Sequence, residues 1–494
     1  MEKLEFDLVV LGAGPAGENG AAVAGMIGKR VALVEKRREV GGASAITGTL
    51  PSKTLRETAL AFSALEARDL YGVDLSLRRQ AGVRDLMYHE QHVKEHEQLR
   101  IRQRLARFGV QLFNGDGSFV DPHTIRVIPP DIFSPTPSDE LLLHAEKILI
   151  ATGSSPVRPP EFPFSHSRVW DSDNILQLER IPKTMAVIGA GAIGLEYACT
   201  FSALGVKVQV VDRRDVLLPF LDRGISQALL HAMQSRLGIA FLWNQSVTHC
   251  EAPPDAAVTL TLTSGEKLAV DAVLVAAGRQ SNTERLNLAA AGLVAGKKGV
   301  LEVDADYRTK VPHILAAGDV IGFPGLAATS SEQARYAIAC AFGRTDKKPI
   351  APQLPTGIYT IPEVSMVGET EESLKEKKID YVVGSATYDQ NARGEIIGDH
   401  TGFLKLLFRK SDRKLIGVHV IGEHATELVH VGLVAMHMGA DTEVFNSVCF
   451  NYPTLGDLYK VATYDALRKL LGPQDAAAHP LTTAHPPISA EPAP

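Results

Sequence analysis

The spacing of apolar and polar positions changes character repeatedly along the first 35 residues. Leu8-Val9-Val10-Leu11 is an uninterrupted apolar run, the pattern of a strand buried on both faces. Gly12-Ala13-Gly14-Pro15-Ala16-Gly17 follows, then a helix-compatible stretch of small residues. A second strand pattern, Arg30 to Val34, ends at Glu35. The succession then returns: Met185-Ala186-Val187-Ile188 leads into Gly189-Ala190-Gly191-Ala192-Ile193-Gly194, a helix, and Val208-Gln209-Val210-Val211 ending at Asp212. Nearer the C-terminus, strand patterns at Gly402 to Phe408 and Leu415 to Val420 alternate with amphipathic helices. Asp116 to Asp139 reads as a strand hairpin with an extended Pro-rich loop around Pro129–Pro137. The densely charged run Arg84 to Phe108 reads as a solvated surface helix. From Gly472 the chain turns to Ala, Pro, His and Thr without periodicity, so 472–494 is expected to be a disordered tail.

Each unit of strand, glycine turn, helix, strand and acid is a dinucleotide fingerprint in its required context. The first glycine (Gly12, Gly189) permits the tight turn. The second (Gly14, Gly191) lets backbone approach a pyrophosphate, and the third (Gly17, Gly194) lets helix and strand pack closely. The helix N-terminus faces the phosphates, and Glu35 is placed to accept hydrogen bonds from a ribose. Two such units in one chain predict two dinucleotides held against each other, as hydride exchange between nicotinamide and flavin requires. The alternative, a duplicated fold with one dead site, is less favoured because both copies keep all three glycines and the acid. In the second unit Asp212 favours the ribose of NAD, whereas the following Arg213 and Arg214 would attract the 2′-phosphate of NADP. That mixture suits both nucleotides; the competing reading is that the arginines are solvated loop charges.

Composition narrows the class. At 494 residues the chain exceeds one compact core, so two or three domains are expected. An apolar content of 45% and 22% charged residues are ordinary globular values, and a net charge of −6 argues against a general nucleic-acid surface. No apolar run reaches the ~18 residues that suggest a membrane span, and the first residues lead straight into a strand rather than a signal peptide. A cytoplasmic protein is expected. Cys199, Cys250, Cys340 and Cys449 form no CxxC pair and no zinc-ligand spacing. Each is expected to be a small buried apolar residue, and no metal is expected. His89, His92 and His96 fall near one face of the charged helix and read as part of its solvated surface.

Gly41-Gly42-Ala43-Ser44-Ala45-Ile46-Thr47-Gly48-Thr49-Leu50-Pro51-Ser52-Lys53 resembles the flavin-contacting segment of the two-dinucleotide-domain flavoproteins. These are the class-I pyridine nucleotide-disulfide oxidoreductases, which include dihydrolipoamide dehydrogenase and glutathione reductase. Ile150-Ala151-Thr152-Gly153-Ser154, Ala316-Ala317-Gly318-Asp319 and Ile358-Tyr359-Thr360-Ile361-Pro362-Glu363 resemble further segments of that family, in the family's order. The resemblance implies an α/β fold with two Rossmann-like domains, for FAD and NAD(P), and a C-terminal α+β dimerisation domain. FAD segments are then expected at 1–160 and 284–350, flanking an NAD(P) domain at 161–283, with the dimerisation domain at 351–471. It further implies cofactor contacts at Gly12, Gly14, Gly17, Glu35, Lys36, Gly42, Ser44, Thr49, Lys53, Gly117, Thr152, Gly153, Asp319 and Ala327. On the nicotinamide side it implies Gly189, Gly191, Gly194, Glu196, Asp212, Arg213, Arg214, Gly278 and Arg279.

Departures from the family pattern decide the chemistry. The positions of the redox cysteines carry Ser44 and Thr49, neither of which forms a disulfide or a thiolate. The catalytic histidine position carries Tyr452, whose ordinary pKa of ~10 makes it a poor base near neutrality, and its partner acid position carries Asp457. Thiol exchange by the family's usual route is therefore excluded. Lys53, implied to lie near the flavin N5 edge, and Glu196 remain, a pair that would orient the nicotinamide and stabilise reduced flavin. Gly48 to Arg56 and Phe450-Asn451-Tyr452-Pro453-Thr454 are similar to the soluble, Si-specific pyridine nucleotide transhydrogenase branch. The expected activity is ping-pong hydride transfer between NADH and NADP through FAD in a homodimer, possible without a protein nucleophile. An NAD(P)H oxidase or diaphorase using oxygen or a quinone, and a non-catalytic nucleotide-sensing scaffold, are the alternatives these residues leave open.

Overall fold

The computed structural model describes residues 3–63, 83–130, 140–344 and 348–475. It divides into two compact units. One comprises Met1–Phe220, Ser226–Leu354 and Ile358–Ile361; the other comprises Leu221–Ile225, Pro355–Gly357 and Pro362–Pro494.

The first unit holds both parallel sheets. In one, the strand Lys3–Leu11 lies parallel between Val31–Glu35 and Leu141–Ile150. Ile314–Ala316 returns from far along the chain to pair with Leu141–Ile150. The apolar run of the first strand is explained by burial on both faces. Leu8 and Val10 join Ala16, Ala21 and Ala24 of the helix Pro15–Met26, together with Ala334 and Ile338 of the helix Ala327–Ala341. Val9 and Leu11 point to the opposite core with Phe119, Ile148 and Leu301. The hairpin expected after Asp116 forms from Asp116–Asp121 and Thr124–Ile128, and turns at Pro122 and His123. Residues 131–139, which include much of the Pro-rich loop, lie outside the described residues. The charged run forms the helix Val83–Arg107, with His89, His92 and His96 exposed.

The second parallel sheet is built from Val169–Asp171, Thr184–Ile188, Lys207–Asp212, Ala240–Trp243 and Ala272–Val275, in the spatial order 240, 207, 184, 272, 169. A three-stranded antiparallel sheet, Val247–Glu251, Val258–Leu262 and Lys267–Val270, shares its apolar core. A short antiparallel pair, Ser154–Pro156 with Arg279–Ser281, forms where the chain enters and leaves this layer.

The other unit is a five-stranded sheet with the helices Ala425–His437 and Leu458–Asp475. Its central strands Phe403–Arg409 and Leu415–Ile421 are antiparallel. Leu404, Leu406 and Phe408 pack with Val418, Leu428 and Tyr459, whereas Leu407 faces Leu374 and Ile416 on the other side. Lys405 shares the Leu407 face by the two-residue period and is buried, so it requires partners. It donates to Asp222 Oδ1 and Oδ2 at 2.8 and 2.9 Å and to Glu371 Oε1. Asp222 belongs to the sequence stretch following the second dinucleotide fingerprint, yet it packs in this unit. The last helix continues through Asp475, four residues into the stretch expected to be tail, and 476–494 lie outside the described residues.

The cysteine expectation needs correction. Cys199 and Cys250 are buried, but Cys340 is half-buried and Cys449 is exposed. Cys449 lies in the irregular stretch after the helix Thr442–Ser447, where no strand or helix face turns it inward.

Candidate active site

The two glycine turns have the same geometry, and the reason is steric. Gly12 sits at φ +99°, and a Cβ there would stand 2.4 Å from Ala151 O; Gly189 sits at +109°, with Ala276 O at 2.5 Å. A Cβ on Gly17 would fall 1.8 Å from Gly12 O, and one on Gly194 would fall 2.1 Å from Gly189 O. These four glycines hold turn, strand and helix together. Gly14 and Gly191 differ: added carbons there meet only Gly42 Cα at 3.8 Å, or nothing within 4 Å. Their role is to leave open the approach to backbone N–H groups at a helix N-terminus.

One cleft collects most of the expected flavin contacts. Gly12, Gly14, Glu35, Lys36, Gly42, Ser44, Thr49, Gly117, Thr152, Gly153, Asp319 and Ala327 line it; Gly17 stands behind it as packing. The lining suits a dinucleotide. Glu35 fixes the strand end by accepting from Ala13 N at 2.8 Å and Arg37 N at 3.0 Å. Thr47 presents a buried hydroxyl that has no hydrogen-bond partner among the described residues, and it lines the same cleft. No cysteine lines it.

Several lining residues were not singled out in the sequence: Arg37, Asp173 and Asn282 lie outside the segments that resemble the family's flavin contacts, and Thr47 and Ser154 lie within them. Ser154 is the informative one. It donates to Asp319 Oδ2 at 2.7 Å and accepts from Arg279 Nε at 2.8 Å, while its carbonyl accepts from Arg279 Nη2 at 2.7 Å. Arg279 also approaches Asp173 at 3.7 Å. The guanidinium expected to touch nicotinamide nucleotide is thus engaged with the residue that holds Asp319. Gly278, at φ +104°, supplies the bend before it.

Lys53 and Glu196 come together from separate helices. The helix Thr49–Ser63 carries Lys53, and the helix Ala192–Ala203 of the second glycine turn carries Glu196. Lys53 Nζ donates to Glu196 Oε2 at 2.5 Å. A third residue holds both. Tyr359 N donates to Glu196 Oε1 at 2.9 Å, and the Tyr359 ring lies 4.8 Å from Lys53 Nζ, a cation–π distance. Arg56, one turn beyond Lys53 and buried, donates to Thr360 O at 3.1 Å and fixes that segment.

At the second strand end, Asp212 is buried and accepts from Ala190 N at 2.6 Å and Arg214 N at 2.9 Å. Arg214 folds back so that Nε and Nη2 each donate to the carboxylate at 2.9 Å. Burial pushes the Asp212 carboxyl up, but the Arg214 fork and the backbone donors outweigh it and lower its pKa to about 2. Arg213 is exposed beside it. In the other unit Tyr452 is 74% exposed, and Asp457 closes the short turn Leu455–Asp457.

A family model described as pyridine nucleotide-disulphide oxidoreductase matches residues 6–337, and that family's dimerisation-domain model matches residues 354–463. The chain is 44% identical over 467 residues to the soluble pyridine nucleotide transhydrogenase of Mycobacterium tuberculosis, covering 94% of this chain and 98% of that one. To the soluble pyridine nucleotide transhydrogenase of Pseudomonas putida it is 40% identical over 473 residues, covering 95% and 100%. Among solved structures, the HOCl-induced flavoprotein disulfide reductase RclA from Escherichia coli, in its Cu(II) complex, gives a TM-score of 0.83. Identity there is 26%, with 94% of this chain and 100% of that one covered. LpdA from Mycobacterium tuberculosis gives 0.84 at 25% identity, covering 93% and 99%. No helix among the described residues is long and apolar enough to cross a membrane. With both models matched in order and relatives of this similarity along nearly the whole chain, the protein belongs to the pyridine nucleotide-disulphide oxidoreductase family.

Proposed function

We propose that this chain is an FAD-dependent pyridine nucleotide transhydrogenase that moves hydride between NAD(H) and NADP(H), acting as a homodimer through residues 354–463. The observation that carries the reading is a flavin-type cleft lined by Ser44 and Thr49 instead of cysteines, in a chain that keeps the Lys53–Glu196 pair. The names of its relatives point the same way. FAD, when bound, supplies the hydride-accepting and hydride-donating chemistry. Gly12, Gly14, Glu35, Thr152 and Asp319 would hold it, and Gly189, Gly191, Gly194 and Asp212 would hold the nicotinamide nucleotide. Lys53 places a positive charge in a site where negative charge develops, and Glu196 orients that charge. Neither residue needs to transfer a proton. Each nucleotide therefore uses the site in turn, in a ping-pong order.

Anaerobic stopped-flow tests this reading on the FAD-loaded enzyme. NADH is expected to bleach the flavin absorbance, and NADP or its thio-nicotinamide analogue to restore it. Absent bleaching would remove any hydride-transfer role. Bleaching by NADH that NADP fails to reverse, but oxygen or a quinone does, would favour a diaphorase.

A further inference from the structure

The two dinucleotide units contain the same short pattern after the second strand: an acid, one residue, then an arginine. In the first unit these are Glu35 and Arg37; in the second, Asp212 and Arg214. Both acids accept from the corresponding glycine-turn N–H, Ala13 or Ala190, and from the N–H of their own arginine. There the likeness ends. Arg37 turns its guanidinium away, with Nη2 3.8 Å from Asp173. Arg214 turns inward onto Asp212.

The consequence follows from counting acceptor sites. A carboxylate offers about four lone-pair sites. Among the described residues, Glu35 receives Ala13 N on one oxygen and Arg37 N on the other, so each oxygen keeps a site for a ribose hydroxyl. Asp212 receives Ala190 N and Arg214 Nη2 on Oδ2, and Arg214 N and Nε on Oδ1. All four of its sites are filled. As folded, Asp212 cannot accept from the ribose diol of NAD, nor does it present a bare negative charge to the 2′-phosphate of NADP. The guanidinium, meanwhile, has five N–H donors and spends two of them on Asp212, leaving three for an incoming anion.

We infer that Arg214 is a latch that lets one strand end accept both nucleotides. Closed on Asp212, it neutralises the acid and offers its outward N–H groups to the 2′-phosphate of NADP. Swung away, it uncovers Asp212, which then accepts from the 2′-hydroxyl of NAD as Glu35 is built to do in the other unit. Opening frees a guanidinium whose side chain is 45% exposed and can be hydrated, while the buried Asp212 keeps the bonds from Ala190 N and Arg214 N and gains the ribose hydroxyl in exchange for the fork. The backbone beneath does not have to move: Arg214 O accepts from Asn244 N at 3.3 Å, and Asp212 O accepts from Gln245 N at 3.1 Å. The inference rests on the proposed transhydrogenase function, since that reaction requires both nucleotides at this strand end.

The experiment measures half-saturation for anaerobic flavin reduction by NADH and by NADPH, on FAD-loaded wild type, Arg214→Met and Asp212→Asn. In Arg214→Met the NADPH value is expected to rise roughly ten- to hundredfold, the range for a lost charged hydrogen-bond pair. The NADH value should fall, because Asp212 is now uncovered. Asp212→Asn is expected to do the reverse, raising the NADH value and lowering the NADPH value. If Arg214→Met does not retain FAD, Arg214→Lys keeps charge without the fork and should raise the NADPH value by a smaller factor. An equal change for both nucleotides, or none, in wild-type-like folded variants would overturn the latch. Failure of the underlying reading looks different: wild-type flavin reduced by NADH would then not be reoxidised by NADP, whatever the half-saturation values of the variants.

Discussion

Lys53 Nζ stands 2.5 Å from Glu196 Oε2, although 143 residues separate the two in sequence. The side chains are only 24% and 12% exposed, so the pair is much less screened than a surface ion pair. One partner comes from the helix Thr49–Ser63, whose first residue lines the cleft, and the other from the helix Ala192–Ala203 of the second glycine turn. The pair therefore ties these two helices together.

Removing the charge is expected to slow flavin reduction. Lys53→Met should lower the limiting rate with NADH by roughly 10²-fold or more, the usual cost of losing one preorganised electrostatic group. Glu196→Gln should lower it less, because the lysine charge stays. Rapid-mixing absorbance measurements at saturating NADH check both. Equal, wild-type rates in the two variants would assign the pair a purely structural role.

Tyr359 adds an aromatic face to Lys53 and a backbone donor to Glu196. Tyr359→Leu keeps the N–H but loses the ring, and should cost roughly three- to thirtyfold in flavin reduction, the worth of a cation–π contact. Tyr359→Phe keeps both contacts and should stay near wild type. Equal loss in Phe and Leu variants would point to the hydroxyl instead.

The third glycines separate the two nucleotide sites. A methyl on Gly17 would collide with Gly12 O, and one on Gly194 with Gly189 O. Gly17→Ala is expected to purify with little FAD. Gly194→Ala should retain FAD yet fail to be reduced by NADH. Flavin content by absorbance, followed by NADH titration, reads both, and the opposite pattern would reverse the assignment of the two units.

Stability should fall with acid because of His419. This residue is fully buried in the strand Leu415–Ile421, with Nε2 bonded to Glu369 O at 2.8 Å and Nδ1 lacking a partner among the described residues. Burial lowers its pKa below the ordinary value of 6.5, more than nearby Asp222 raises it. The unfolded chain therefore takes up a proton that the folded chain refuses. Stability is complete above about pH 6.5 and drains below it, by at most about 1.4 kcal/mol per pH unit. Urea midpoints between pH 7.5 and 5 should decline in wild type and flatten in His419→Leu. Asp222 and Glu371, whose pKa values are lowered by Lys405 against the opposing effect of burial, act only at more acid pH.

Some of this was readable from the chain alone, for a local reason. A strand, a glycine turn, a helix and an acid are specified by contiguous residues whose sterics and periodicity need no distant partner. Gly12 and Gly17 must be glycines because of atoms a few residues away or on the adjoining strand. The absence of thiols at Ser44 and Thr49 is likewise a property of single positions. What only the tertiary structure decided is which side chains meet. The sequence gives Arg37 and Arg214 the same spacing from an acid, yet one reaches Asp173 and the other closes on Asp212. Arg279 turned to Ser154, Tyr359 came to rest on Lys53, and Asp222 packed with Lys405 in the other unit. Each of these depends on competition among partners remote in sequence. Periodicity and propensity, which describe one segment at a time, do not contain that competition.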